Sequence, residues 1–267
     1  MASPFPPATN PPPQSGAEAS VSPRSVVAGN GASWWGEAWR LFVPSFGVWL
    51  LVIVILFVLS MVLAIIPVVG HLASQVLFPV FVGGLMLGCR AIDRGQPLTV
   101  NHLFAGFSDR AGPLFILGLL YTGIAIAIVL TVAGILLVFF GTAVLAQLFR
   151  LSDPFTASAV IGGALMVMMV GALLFMLLYL PLIMAVWFAP ALVTLRGLDP
   201  WAAMKMSFSG CLRNVLPFLL YGLIGIALAV VATIPLALGW LVLVPVSIAS
   251  IYTAYCDIFE ERESSLS

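Results

Sequence analysis

Charge is what this chain has least of. Of its 267 residues only ten are Lys or Arg and ten are Asp or Glu, 7% in all, where a soluble domain carries about a quarter. With 62% hydrophobic residues beside that deficit, an ordinary water-soluble domain is excluded. No basic stripe stands clear of apolar sequence, so nothing points to a nucleic-acid partner. Histidine and cysteine are almost as scarce. The three cysteines, Cys89, Cys211 and Cys256, are far apart in the chain. The short ligand spacing of a zinc site is missing, and only a set completed by His102 is conceivable. Free thiols are the simpler reading, since all three lie near one edge that a reducing compartment would bathe. No Gly-X-Ser-X-Gly, phosphate-cradling glycine loop or His-Glu-X-X-His motif is present. The sequence therefore nominates no catalytic residue, no cofactor-binding residue and no metal ligand.

What the chain has instead is six long apolar runs: Gly47 to Val69, Leu72 to Ala91, Pro113 to Phe140, Val160 to Leu195, Val215 to Pro235 and Leu236 to Tyr255. Five have lengths near the roughly 20 residues that cross the hydrocarbon core. Arg24 and Arg40 precede the first run. Arg90, Arg94 and Arg110 lie between the second and third, and Arg196, Lys205 and Arg213 between the fourth and fifth. Arg262 follows the sixth, and Arg150 alone lies on the opposite side. By the positive-inside rule both termini are cytoplasmic. The runs hold no Asp, Glu, Lys or Arg away from their ends. Buried charges of that kind are usually kept for ion or proton coupling. Proton- or sodium-driven transport thus has no obvious carrier, except that backbone carbonyls at broken helices bind sodium in some transporters.

Residues 1–33 differ from the rest. Pro4, Pro6, Pro7, Pro11, Pro12, Pro13 and Pro23 stand among Ser, Ala, Gly and Asn. Too little apolar surface is present to offset the entropy of ordering, which predicts a disordered cytoplasmic tail. It lacks the basic start and apolar core of a signal peptide. A proline-reading domain is one reader such a tail could have; a bland solvated tail is the simpler expectation. Residues 34–259 form the polytopic domain. Residues 260–267, with Glu260, Glu261 and Glu263, read as a short solvated acidic tail.

The polytopic part reads as three copies of one unit: an amphipathic stretch, a proline, an outward helix and a returning helix. Pro44, Pro113 and Pro217 open the outward helices, each preceded by a basic residue, Arg40, Arg110 and Arg213. Proline suits a first helical turn, where its missing N–H has no partner in any case. Pro79, Pro181 and Pro245 each lie fifteen residues before a charged position, Arg94, Arg196 and Glu260. The two inner loops share Phe-X-Gly (Phe104 to Gly106 and Phe208 to Gly210), with seven residues from that Gly to the next Pro. The stretch Trp34 to Phe42 is a looser third copy. Each copy suits a short helix in the headgroup region. Two unpaired histidines have bland readings: His71 as a solvated residue of the short outer turn, His102 as an interfacial residue with one wet face.

The middle unit is longer. Pro113 and Pro181 are 68 residues apart, against 35 and 28 for the other pairs. The insert, Phe139 to Phe155, reads as an elbow along the outer interface. The run 157–195 would span about 60 Å as one helix at about 1.5 Å per residue. It is therefore either tilted and kinked at Pro181, or its first half does not cross. Gly84 and Gly88 stand at the spacing that lets helices approach closely, within this bundle or between two copies. Arg40, Arg110 and Arg213, each beside a helix N-terminus, would suit an anion such as a lipid phosphate. Orientation alone also explains them.

At several of these stretches the chain resembles an uncharacterised family of proteobacterial inner-membrane proteins. The stretches are Gly88 to Arg90, His102 to Phe107, Trp187 to Val193, Cys211 to Phe218 and Tyr252 to Phe259. More distantly it is similar to the membrane domain attached to some glycerophosphodiester phosphodiesterases, whose catalytic barrel it lacks. The resemblance implies a fold and a location, and no functional residues. The expectation is an all-α integral membrane protein, a six-helix transmembrane bundle of three helical hairpins with short interfacial amphipathic helices. Its partners are membrane lipids and, as an open alternative, another membrane protein. A non-enzymatic scaffold or accessory protein fits the uncharged spans. A permease component for a small apolar or amphipathic molecule, hinged at Pro79, Pro181 and Pro245, is the alternative. An intramembrane enzyme is disfavoured, because no acid, base or nucleophile stands in the spans.

Overall fold

A computed structural model describes residues 22–108, 110–148 and 156–260, apart from the side chains of 142–161. Among the described residues the chain is all helical. The first unit comprises α1 (Asn30–Phe42), a 3-10 turn (Val43–Ser45), α2 (Phe46–Ala64) and α3 (Val69–Asp93). The second comprises α4 (Asn101–Phe104) with the 3-10 turn Ala105–Phe107, α5 (Ala111–Leu148), α6 (Thr156–Trp187) and α7 (Ala189–Arg196). The third comprises α8 (Pro200–Arg213), α9 (Val215–Thr233) and α10 (Trp240–Phe259). Six helical stretches among the described residues are long and apolar enough to cross a membrane. Helices satisfy their own backbone groups, as a segment in hydrocarbon must. Pro113 and Pro217 fall in the first turns of α5 and α9, and Pro44 in the turn leading into α2. The protein is a multi-pass membrane bundle of three hairpins, α2/α3, α5/α6 and α9/α10. The inner end of the bundle is the one that bears the cations.

The three units close on one another in order. The inner helix of each packs on the returning helix of the unit before it: α4 and its turn on α3, α8 on α6, and α1 on α10. The first of these crossings is backbone against backbone. A Cβ on Gly84 would lie 2.4 Å from the His102 carbonyl oxygen, and one on Gly106 would lie 2.0 Å from that of Val80. Glycine is required at both for the segments to approach this closely.

The long run is two helices, and the break falls at Phe188 rather than at Pro181, which sits inside α6. Pro190 gives the reason. It has no N–H for the carbonyl one turn back, and its ring collides with that carbonyl in a continuous helix. Ser207 of α8 bridges the opening. The Phe188 N–H donates to Ser207 Oγ at 2.9 Å, and Ser207 Oγ donates to the Met184 carbonyl at 2.7 Å. One hydroxyl thus stands in for the lost bond between Phe188 and Met184.

Two further expectations change. The elbow begins as helix, since α5 continues to Leu148 before the chain leaves the described residues. At 38 and 32 residues, α5 and α6 measure about 57 and 48 Å against a hydrocarbon core of about 30 Å. The tail boundary also moves. α1 starts at Asn30, and the strap before it is hydrogen-bonded into the inner edge, while residues 1–21 lie outside the described residues.

Packing is concentrated in the inner half. Trp34, Phe42, Leu103, Phe188, Leu192 and Ile258 are fully buried there, joined by the half-buried Phe218 and Trp187. Trp35 stacks on Tyr221 with ring centroids 4.8 Å apart. The outer half shows the reverse: Leu137 is 74% exposed and Leu236 91%. Uncovered Leu and Val on that scale have lipid, not water, as their solvent.

Candidate functional site

The inner end of α10 gathers the polar residues. A helix C-terminus leaves four carbonyls without partners and carries partial negative charge. Here arginines from distant segments take them. The Arg24 side chain donates to the Asp257 carbonyl at 2.8 Å and also to that of Glu260. The Arg24 backbone N–H donates to the Ile258 carbonyl at 2.9 Å. Arg196 donates to the Phe259 carbonyl at 2.8 Å and to the Tyr255 hydroxyl at 3.3 Å. Arg90 pairs with Glu260 at 2.7 Å. Glu260 is therefore an anchored ion-pair partner and not a solvated tail residue; 261–267 lie outside the described residues. The Asp257 carboxylate accepts from Asn30 Nδ2 at 2.7 Å and from Trp34 Nε1 at 2.9 Å, which ties α1 to the same end. Buried Asn214 holds the strap: its Oδ1 accepts the Val26 N–H at 2.8 Å, and its Nδ2 donates to the Arg24 carbonyl at 2.8 Å.

Beside this cluster lies a cavity of about 540 Å³ between α1, α3 and α10. Its walls carry Glu37, Asp93, Asp257 and Glu260 with Arg40 the one cation, and Tyr252 donates to Asp93 across it at 3.2 Å. A second cavity of about 280 Å³ lies toward the outer end between α2, α3 and α10. Leu56, Leu59 and Phe78 line it along with four polar side chains, Ser60, His71, Ser74 and Gln75.

The two cavities share one seam. Ile248 lines the outer one and Tyr252 the inner one, a single turn of α10 and about 6 Å apart. On α3 the outer cavity reaches Leu85 and the inner one begins at Ile92. Fully buried Cys89 sits between them in sequence, as Trp49 and Val52 do on α2. The spacing 49, 52, 56, 59, 63 keeps these α2 residues on one helical face. Trp49 Nε1 is buried with no hydrogen-bond partner among the described residues, although a buried indole N–H usually has one.

The residues singled out from sequence are scattered. Arg40 is exposed at the acidic inner cavity. The Arg110 guanidinium lies over Gly197, so close that a Cβ there would be 2.7 Å from its Nη2. Arg213 donates to the Pro23 carbonyl at 3.0 Å. No two of these three arginines meet in one described pocket. Pro79 and Pro245 are buried inside α3 and α10, and Pro181 is exposed on α6. Gly84 and Gly88 both face α4; a Cβ on Gly88 would lie 2.5 Å from Leu98 Cδ1 and 3.2 Å from His102 Cβ. His71 belongs to the first turn of α3 and lines the outer cavity rather than sitting in a free turn. His102 Nδ1 accepts the Thr99 N–H at 3.1 Å, a local cap for α4.

All three cysteines are free thiols. Cys211 of α8 donates to the Met184 carbonyl at 3.5 Å, and burial pushes its thiol pKa up to about 12. Among the described residues no group of three or more His, Cys, Asp or Glu side chains is set to hold a metal ion. Sequence reasoning missed Ser207, Asn214 and Trp49. Pro190 was the available signal for the first, since it forces a break that some donor and acceptor must fill.

The chain is 28% identical over 229 residues to a probable inner membrane protein of Burkholderia thailandensis, covering 74% of this chain and 77% of that protein. No protein-family description matches the chain, and no solved structure does. The likeness to the membrane domain of glycerophosphodiester phosphodiesterases gains no support from these comparisons.

Proposed function

We propose that this protein is a non-enzymatic scaffold or accessory protein of a bacterial inner membrane, with both termini in the cytoplasm. One observation carries the reading: the inner half is a closed, cross-tied platform. Arg24, Arg90 and Arg196 are used up in holding it together, and the fully buried Trp49, Val52 and Cys89 lie in sequence between the residues that line the two cavities. The name of the Burkholderia relative supports the inner-membrane location. The cation distribution supports the orientation. On this reading the platform meets lipid headgroups through Arg40, Arg110 and Arg213, and a membrane-protein partner docks on the exposed apolar helices. Arg40 is the weakest of the three, because four carboxylates share its cavity.

The alternative is a permease component for a small apolar or amphipathic molecule, moving about Pro79, Pro181 and Pro245. The observation favouring it is the alignment of both cavities on the α2–α3–α10 seam. Cysteine accessibility separates the two readings. In a background with the native cysteines replaced, Val52→Cys in membrane vesicles resists a membrane-impermeant maleimide from either side if the platform is closed. Labelling from both sides overturns the scaffold reading in favour of the permease. A reporter fused after Glu263 checks the orientation, and activity confined to the periplasm overturns it.

A further inference from the structure

The outer cavity combines features that no helix-packing role explains. It lies between α2 and α3, closed by Ile248 of α10, in the outer half, where the surrounding medium is lipid, and its walls are mostly apolar. Polar groups sit at one end of it. Ser60 and Ser74 spend their hydroxyls on their own helices, donating to the Leu56 carbonyl at 2.8 Å and the His71 carbonyl at 2.7 Å. Gln75 differs. It is half-buried, it lines the cavity, and its amide makes no hydrogen bond to any described residue. An amide with two donors and an acceptor, held inside a membrane span, has strong need of a partner.

Depth identifies the partner. α3 is 25 residues long, about 37 Å, and so overruns a hydrocarbon core of about 30 Å. Gln75 lies about 9 Å along the helix from Val69. With the overrun shared between the two ends, that level is about 5 Å inside the outer edge of the hydrocarbon, within a Gln side chain's reach of the glycerolipid ester carbonyls at that edge. Below Gln75 on the same face of α3 come Phe78, Val82 and Leu85, leading the cavity toward the midplane. Size restricts what enters. A volume of about 280 Å³ falls below the roughly 300 to 1,000 Å³ that takes a whole drug-sized ligand. It suits part of a molecule whose remainder stays in the bilayer.

We infer that the cavity between α2 and α3 is a lipid-binding site: it takes one acyl chain of an outer-leaflet glycerolipid, whose ester carbonyl accepts a hydrogen bond from the Gln75 amide. The inference goes beyond the scaffold role and holds whichever way the seam behaves; it rests on the membrane placement and, for the leaflet, on the proposed orientation.

The test uses the full-length protein in phosphatidylglycerol vesicles containing a phospholipid probe with a diazirine on its acyl chain, in ester-linked and ether-linked forms. Cross-linked peptides are mapped by mass spectrometry. The ester probe labels the cavity stretches 56–63 and 74–82 above the stretch 126–138 of α5, although the latter is the more exposed to lipid. The ether probe, lacking the carbonyl, labels the cavity about threefold to tenfold less, the loss of one hydrogen bond. Gln75→Leu lowers ester labelling to the ether level and leaves α5 labelling unchanged. Leu59→Trp, which fills the cavity, removes the excess for both probes. Cavity labelling no higher than on α5 overturns the site, and so does equal labelling by ester and ether probes. Should a variant fail to fold, the two probes on the unaltered protein decide the matter alone.

Discussion

The inner and outer halves of this bundle are built from similar residues and follow opposite rules. At the inner end, Trp34, Phe42, Phe188 and Ile258 are buried as in a water-soluble core, and buried polar groups such as Ser207 and Asn214 have their hydrogen bonds satisfied. At the outer end, α5, α6 and α9 present Leu137, Met168 and Val230 outward. The difference follows from solvent. Near the inner interface, water competes for backbone and side-chain groups, and a tight aromatic core with a polar rim is favoured. In hydrocarbon, burying Leu against Leu gains little over burying it in lipid. The fold is thus held at one end, and the other end is lined by its solvent.

Substitutions can break that contrast, and the largest effect belongs to the inner crossing. Gly84→Ala sets a methyl 2.4 Å from the His102 carbonyl oxygen. It should cost about 3 kcal/mol or more, as severe overpacking does, seen as loss of folded monomer in detergent by size exclusion. A variant that folds normally would show the crossing to be loose. Ser207→Ala comes next. It leaves the Phe188 N–H buried without a partner and the Met184 carbonyl with only the weak Cys211 thiol donor, at about 1–3 kcal/mol. Thermal melting in detergent measures this, with Ser209→Ala on the same helix as a control that should change little. The smallest effect is expected at Leu137→Ala, within about 0.5 kcal/mol for an exposed side chain. A large destabilisation there would mean that α5 is covered by protein, and would sharpen the contrast into an interface.

The hairpin architecture was legible because local rules carry it: apolar run length, proline in first helical turns and cations at one edge. The internal repeat placed α1, α4 and α8 correctly for the same reason. Contacts distant in sequence were not legible. Arg24 belongs to a proline-rich stretch whose composition predicts disorder, yet its backbone N–H bonds to the Ile258 carbonyl. Composition counts apolar surface and is blind to a strap held through its peptide groups. A count of inner arginines gives orientation, but not that Arg90 and Arg196 serve the end of α10. Neither cavity was foreseen, because each arises where three helices fail to fill the space between them. Arg40, Pro44, His71, Cys256 and Glu260, picked from sequence for other reasons, turn up in their walls without having pointed to a cavity.

The cyclic order of the units sets when the molecule becomes complete. During synthesis α1 emerges first, but its seat on α10 is made last, so the Trp34 and Asn30 groups wait for Asp257 while some two hundred residues are translated. The nascent chain holds an unfinished face at the membrane surface through that interval, open to chaperones or to a wrong neighbour. The same closure makes the starting point arbitrary: with Arg24 bonded to Ile258, a linker could join the two ends and a new opening could be cut near Gly95 or Gly197. Such a permuted chain would keep the same neighbours and change only the sequence in which they meet.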